Sequence, residues 1–88
     1  MYSKEITVVN ATGLHARPAS DFVTLAGKFK SSIHIQRSDE ERKYNGKSMV
    51  MLMTLGLAQG ESATIYAEGE DEKEAVEALA DLVANMKD

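Results

Sequence analysis

Gly13-Leu14-His15-Ala16-Arg17-Pro18-Ala19 contains the only proline of the chain. Proline is tolerated in the first turn of a helix, where its missing N–H would have had no partner. Pro18 therefore fixes a helix start, and His15 falls at or just before it. Upstream, Ile6 and Val8 alternate with Thr7 and Val9, the pattern of a partly buried strand. Residues 10–13 supply turn chemistry, and Gly13 lets the chain turn tightly. Downstream, Ala19, Phe22, Val23 and Ala26 recur at helical spacing, and Gly27 can end the helix.

The same reading extends to the C-terminus. Ile33 and Ile35 alternate with His34 and Gln36, as in a second strand. Residues 37–43 read as a charged loop, with a short strand around Lys43 and Tyr44 and a turn at Asn45-Gly46. Residues 48–55 read as a short helix closed by Gly56, and Ala63, Ile65 and Ala67 alternate as in a last strand. Asp71 with Glu74 has the spacing of a capping box ahead of Val76, Leu79, Ala80 and Val83. The order is β-α-β-β-α-β-α, an α+β chain whose helices can all lie on one face of a single sheet. Thr7, His34, Gln36, Thr64 and Tyr66 fit the solvent face.

Eighty-eight residues, 43% of them hydrophobic, suit one domain spanning 1–88 with one core and with no repeat or linker. There is no cysteine, so neither a disulfide framework nor a thiolate metal site is available. No apolar run approaches the roughly 20 residues of a membrane span, and residues 1–5 lack the apolar segment of a signal peptide. A cytoplasmic protein is expected. The net charge of −4 argues against nucleic acid as the main partner.

A helix start gathers free backbone N–H groups and the positive end of the helix dipole, and such a place binds phosphate. Histidine is not among the preferred N-cap residues. An imidazole beside an anion site and a guanidinium suggests phosphoryl chemistry on His15 itself. The N–H groups of Ala16 and Arg17 would meet the phosphoryl oxygens, and the Arg17 guanidinium would spread their charge. The residue types alone equally allow a surface histidine at a helix end, with Arg17 merely solvated.

Met49-Val50-Met51-Leu52-Met53-Thr54-Leu55 is too apolar for a half-buried helix. Met49, Leu52 and Met53 can share a core face, which leaves Val50 and Met51 pointing elsewhere. Exposed apolar patches often mark interfaces, and methionine suits several differently shaped partners. The alternative is a fully enclosed segment. Gly46-Lys47-Ser48 resembles the end of a P-loop, but that pattern needs glycine at position 41, where Glu41 stands. Ser48 as a plain helix cap fits the residues. The acidic residues Glu68, Glu70, Asp71, Glu72 and Glu74 suit a strand end and a helix N-terminus, with no metal-site spacing.

Together these residues resemble the HPr family, the histidine-containing phosphocarriers of the bacterial sugar phosphotransferase system. The resemblance covers essentially the whole chain, and the segment from Gly13 to Ala19 matches the family's active-site signature. Lys47-Ser48 followed by Met49 to Gly56 is similar to the regulatory-serine segment, as is Gly69-Glu70-Asp71-Glu72 to the approach to the last helix. The resemblance implies an open-faced β-sandwich with an antiparallel sheet of order 1-4-2-3 and three helices on one face. It implies that His15 accepts a phosphoryl group on Nδ1 from enzyme I, charged by phosphoenolpyruvate, and passes it to the EIIA component of a sugar permease. Arg17 matches the active-site arginine, and Ser48 the serine modified by HPr kinase/phosphorylase in many Gram-positive bacteria. Met49, Val50 and Met51, with Ser20 and Lys47, form the expected partner-binding surface. No cofactor or metal is implied, and the carrier is expected to be a monomer that turns over only with partner enzymes.

Two departures stand out. The charged loop 37–43 looks longer than in common members, and Met51 stands where one common Gram-positive form has glycine. A competing reading is a regulatory docking module that meets a catabolite-control regulator through Ser48 without sugar-directed transfer. The presence of His15 argues against it. A third is an anion-binding domain with no covalent step.

Overall fold

The computed structural model describes residues 1–86. The elements are β1 (Tyr2–Thr7), α1 (Ala16–Ala26), β2 (Ser32–Arg37), β3 (Lys43–Asn45), α2 (Met49–Leu55), β4 (Ser62–Glu68) and α3 (Glu72–Ala84). The four strands form one antiparallel sheet in the order β1-β4-β2-β3. This is the α+β open-faced sandwich expected from the sequence.

Strand alternation builds the core. Ile6 lies opposite Ala63, and Ile35 lies between Ile65 and Tyr44. These residues, with Ile33 and Ala67, are all buried on one face of the sheet. The helices cover that face with Ala19, Phe22 and Ala26 from α1, Leu52 and Leu55 from α2, and Ala75, Val76, Leu79 and Val83 from α3. The opposite face carries Thr7 and His34 exposed, and Gln36, Thr64 and Tyr66 half-buried. There the Lys43 ammonium lies 4.5 Å from the centre of the Tyr66 ring, and the Thr7 and Ser62 hydroxyls meet at 3.0 Å across β1 and β4. Edge strand β1 is tied to α3 through Glu77, which accepts from the Tyr2 hydroxyl and from Lys4 Nζ.

Three local expectations need correction. Arg37 is not a loop residue but the last of β2, while Lys43 opens the short strand expected around Lys43 and Tyr44. The capping box does not form. Asp71 occupies the N-cap position of α3, yet its side chain makes no cap bond. Its carboxylate instead accepts from the N–H groups of Lys30 and Ser31, each at 2.9 Å, and from the Ser31 hydroxyl. The α1–β2 connection offers three donors at one point, which outweighs a single cap bond. Glu72 takes the turn instead, accepting from the Gly69 N–H at 3.2 Å. Chiefly because of the Ser31 hydroxyl, the Asp71 carboxyl is lowered to about 2.

The third correction concerns α2. Leu52 and Leu55 are its buried residues, while Met49 and Met51 pack partly against the core. Val50 is 73% exposed and Met53 43%. Met53 is therefore a surface residue and Met51 a flanking one. At about 100° per residue, a face centred between Leu52 and Leu55 lies nearer Met51 than Met53. Leu55 decides this by drawing the buried face toward its own side.

Candidate functional site

His15 is the N-cap residue of α1, with extended backbone (φ −142°, ψ 154°) and no side-chain cap hydrogen bond. Its side chain is exposed. The residues on either side are constrained. Leu14 is completely buried, and its N–H donates to the Leu57 carbonyl at 2.8 Å. Ala16 has φ +50°, a left-handed conformation that strains a residue with a Cβ. Two residues further on, Pro18 is buried inside the first turn.

The loop leading to His15 is held from within and from outside. The Asn10 side-chain amide donates to the Gly13 carbonyl at 2.9 Å, and the Gly13 N–H donates to the Asn10 carbonyl at 3.2 Å. Gly13 has φ +74°, and a Cβ there would come within 2.4 Å of the Leu57 oxygen. Only glycine satisfies both the dihedral and the close approach.

The electrostatics favour an anion. The first turn of α1 contains no acidic residue to offset the positive end of the helix dipole. Arg17 is exposed in that turn, and Ser20, also exposed, lies three residues on and so on a neighbouring part of the helix surface. Ser48 is the N-cap of α2, half-buried, and its hydroxyl accepts from the Met51 N–H at 3.3 Å. Lys47 has a structural tie: its ammonium donates to the Phe29 carbonyl at 2.7 Å, strapping the β3–α2 turn to the end of α1. A groove of about 390 Å³ between β1 and α3 is lined by Lys4, Ile6, Glu77 and Ala80, and His15 is not among its walls. Among the described residues, no cluster of His, Cys, Asp or Glu could hold a metal ion, and no helix is long and apolar enough to cross a membrane.

The family model described as "PTS HPr component phosphorylation site" matches residues 2–85. The chain belongs to the HPr family. The phosphocarrier protein HPr of Lysinibacillus sphaericus is 45% identical over 86 residues, which is 98% of this chain and 96% of that protein. The crystal structure of HPr-C-His from Thermoanaerobacter tengcongensis superposes with a TM-score of 0.89 at 45% identity, covering 96% of this chain and 92% of that one. Crh, the Bacillus subtilis catabolite repression containing protein, matches with a TM-score of 0.74 at 40% identity, covering 96% and 94%.

Membership of the HPr family makes the chain a phosphocarrier of the phosphotransferase system rather than a catalyst in the usual sense. The structure places His15 and Arg17 at the start of α1 and Ser48 at the start of α2, as the sequence implied. Sequence reading missed the left-handed Ala16, for which the residue type gives no signal. It also missed residues 57–61, which seat the loop before His15 through contacts distant in the chain.

Proposed function

We propose that His15 is the phosphoryl carrier of this chain, with Nδ1 as the nucleophile. The neutral imidazole, with its proton on Nε2, attacks the phosphorus of phosphorylated enzyme I. The N–P bond to His15 forms as the bond to the donor breaks. Transfer to an EIIA domain reverses the same exchange. The N–H groups of Ala16 and Arg17 and the Arg17 guanidinium receive the phosphoryl oxygens, so the protein's part is positioning and charge stabilisation. The carrier works as a cytoplasmic monomer that docks partners through Val50, Met49, Met51 and Ser20.

One observation carries this reading: an exposed histidine stands at a helix N-cap without spending its side chain on the cap. Incubation with enzyme I and phosphoenolpyruvate, followed by intact mass, tests it. The wild type gains one acid-labile, base-stable phosphoryl group, His34→Ala gains it equally, and His15→Ala gains none. Arg17→Ala slows the step by an amount worth about 1–3 kcal/mol of charge-assisted contact. Undiminished incorporation in His15→Ala refutes the assignment.

Ser48 supports a regulatory reading alongside it. Its hydroxyl sits where a phosphate meets the N–H groups at the start of α2 without unfolding the helix. Modification by an HPr kinase/phosphorylase adds about −1.5 to −2 charges at neutral pH. That charge borders exposed Val50 and partly buried Met51, so it hinders docking of enzyme I and favours a catabolite-control regulator. The initial rate of His15 phosphorylation falls in Ser48-phosphorylated protein. Equal rates across enzyme I concentrations leave Ser48 as a helix cap only.

A further inference from the structure

The His15 loop has no regular structure of its own, so its position depends on what it is bonded to. Much of that bonding goes to a single segment, residues 57–61. The Val8 N–H donates to the Glu61 carbonyl at 3.0 Å, the Gly60 N–H to the Val8 carbonyl at 2.8 Å, and the Leu14 N–H to the Leu57 carbonyl at 2.8 Å. The Gln59 side-chain amide donates to the Val9 carbonyl at 3.0 Å. Gly13 lies directly against the Leu57 and Ala58 backbone.

That segment is itself a turn between α2 and β4, and one ion pair holds it at both ends. The Arg37 guanidinium donates through one nitrogen to the Leu55 carbonyl at 2.9 Å and the Gly56 carbonyl at 3.4 Å, those of the last residue of α2 and of its C-cap. Another nitrogen donates to the Glu61 carboxylate, whose second oxygen accepts the Ala58 N–H at 2.7 Å. Nε is held by Asp39 at 3.0 Å. The Arg37 side chain is only 16% exposed. Such a pair is screened less than one on the open surface. The geometry uses the planar fork of arginine: one side chain reaches the start of the turn, its end and a third acceptor, which a lysine ammonium cannot span.

We propose that Arg37 and Glu61 are positioning residues for His15, acting through residues 57–61 on the backbone of Gly13 and Leu14. Neither touches the imidazole. Loosening the pair lets the Leu57 carbonyl move, frees the Leu14 N–H and displaces His15 from its place at the start of α1. Small displacements of a reacting group have large kinetic consequences. This rests on His15 being the phosphoryl carrier.

The test uses the full chain as wild type, Arg37→Met, Glu61→Gln and Arg42→Ala. Arg42 is a nearby guanidinium that stacks over Tyr44 at 4.6 Å and serves as the control. Steady-state phosphorylation by enzyme I and phosphoenolpyruvate is measured with amide hydrogen exchange on the same samples. With Arg37→Met as substrate, the kcat of enzyme I falls by about tenfold while its KM for the carrier stays within about twofold. Exchange accelerates at the Val8, Leu14 and Gly60 amides and stays unchanged in α3. Arg42→Ala behaves as wild type in both assays. Should Arg37→Met unfold, Glu61→Gln, which keeps the volume of the side chain, shows the same pattern at smaller amplitude. Unchanged kcat in a folded variant overturns the proposal, and so does exchange that rises equally in α3. Absence of His15 phosphorylation in the wild type overturns the carrier reading instead.

Discussion

Replacing Gly13 by alanine isolates the contact that seats the loop before His15. Gly13 has φ +74°, and alanine in the left-handed region costs about 1–2 kcal/mol. A stiffer unfolded chain returns about 0.4–1 kcal/mol. The new Cβ would also stand 2.4 Å from the Leu57 oxygen and 3.0 Å from the Ala58 Cα, closer than nonbonded atoms come. The two backbones must part, and the 2.8 Å bond from the Leu14 N–H to the same Leu57 oxygen is lost or stretched. That adds about 1 kcal/mol, more if buried Leu14 shifts with it. The sum is a loss of about 1–2.5 kcal/mol, before any shift of Leu14. Gly56→Ala provides the comparison. Its φ is +60°, but the nearest atom to a Cβ is the Thr54 oxygen at 3.7 Å, so only the dihedral strain remains, about 1 kcal/mol or less. Urea denaturation of both variants measures the difference. Gly13→Ala is also slower to be phosphorylated by enzyme I at a concentration where it is fully folded, and Gly56→Ala is not. If the two variants lose equal stability, the close approach to Leu57 does not constrain the loop and the reasoning fails.

Two further outcomes are expected. The Asp71 carboxyl is held at about 2, below the unfolded carboxylate value of about 3.9, so its stabilisation is complete above the unfolded value and lost as pH falls through the folded one. Denaturation midpoints measured between about pH 5 and 2 should therefore fall in the wild type and show a flatter fall in Asp71→Asn, which is also less stable at neutral pH; parallel curves would contradict the three-donor clamp. Val50→Glu, at a position 73% exposed, weakens enzyme I binding with native circular dichroism, and unchanged titration calorimetry removes Val50 from the docking surface.

What was legible in the sequence was local. Ile33 and Ile35 announced a strand by their period, Ser48 and Gly56 bracketed α2, and Pro18 fixed the start of α1, because each signal acts within a few residues. Asp71 misled because its spacing to Glu74 is a local rule, whereas its donors on Lys30 and Ser31 lie some forty residues away, a separation of 41 and 40. Arg37 misled in the same way. A charge among Ser38, Asp39, Glu40 and Glu41 reads as solvated loop, yet β2 extends through Arg37 and its guanidinium turns to the end of α2. In α2, seven residues are too few for a period to define a face, so Leu55 settled by packing what spacing could not. The antiparallel order β1-β4-β2-β3 came from family resemblance, since alternation within a strand says nothing about its neighbour.

An exposed side chain cannot be fixed by packing of its own, and a hydrogen bond that fixed the imidazole would occupy a nitrogen. The fold avoids both by immobilising the backbone around His15 rather than the ring. Leu14 anchors one side through complete burial and its bond to Leu57. Pro18 anchors the other, since its ring sets φ and its side chain is buried in the first turn of α1. Between them Ala16 takes the left-handed conformation, a strain of about 1–2 kcal/mol that only constraint from both sides can maintain. On the carrier reading, this arrangement gives one rigid presentation of the imidazole to donor and acceptor alike. Each partner then meets a pre-positioned nucleophile and need not order it during the encounter.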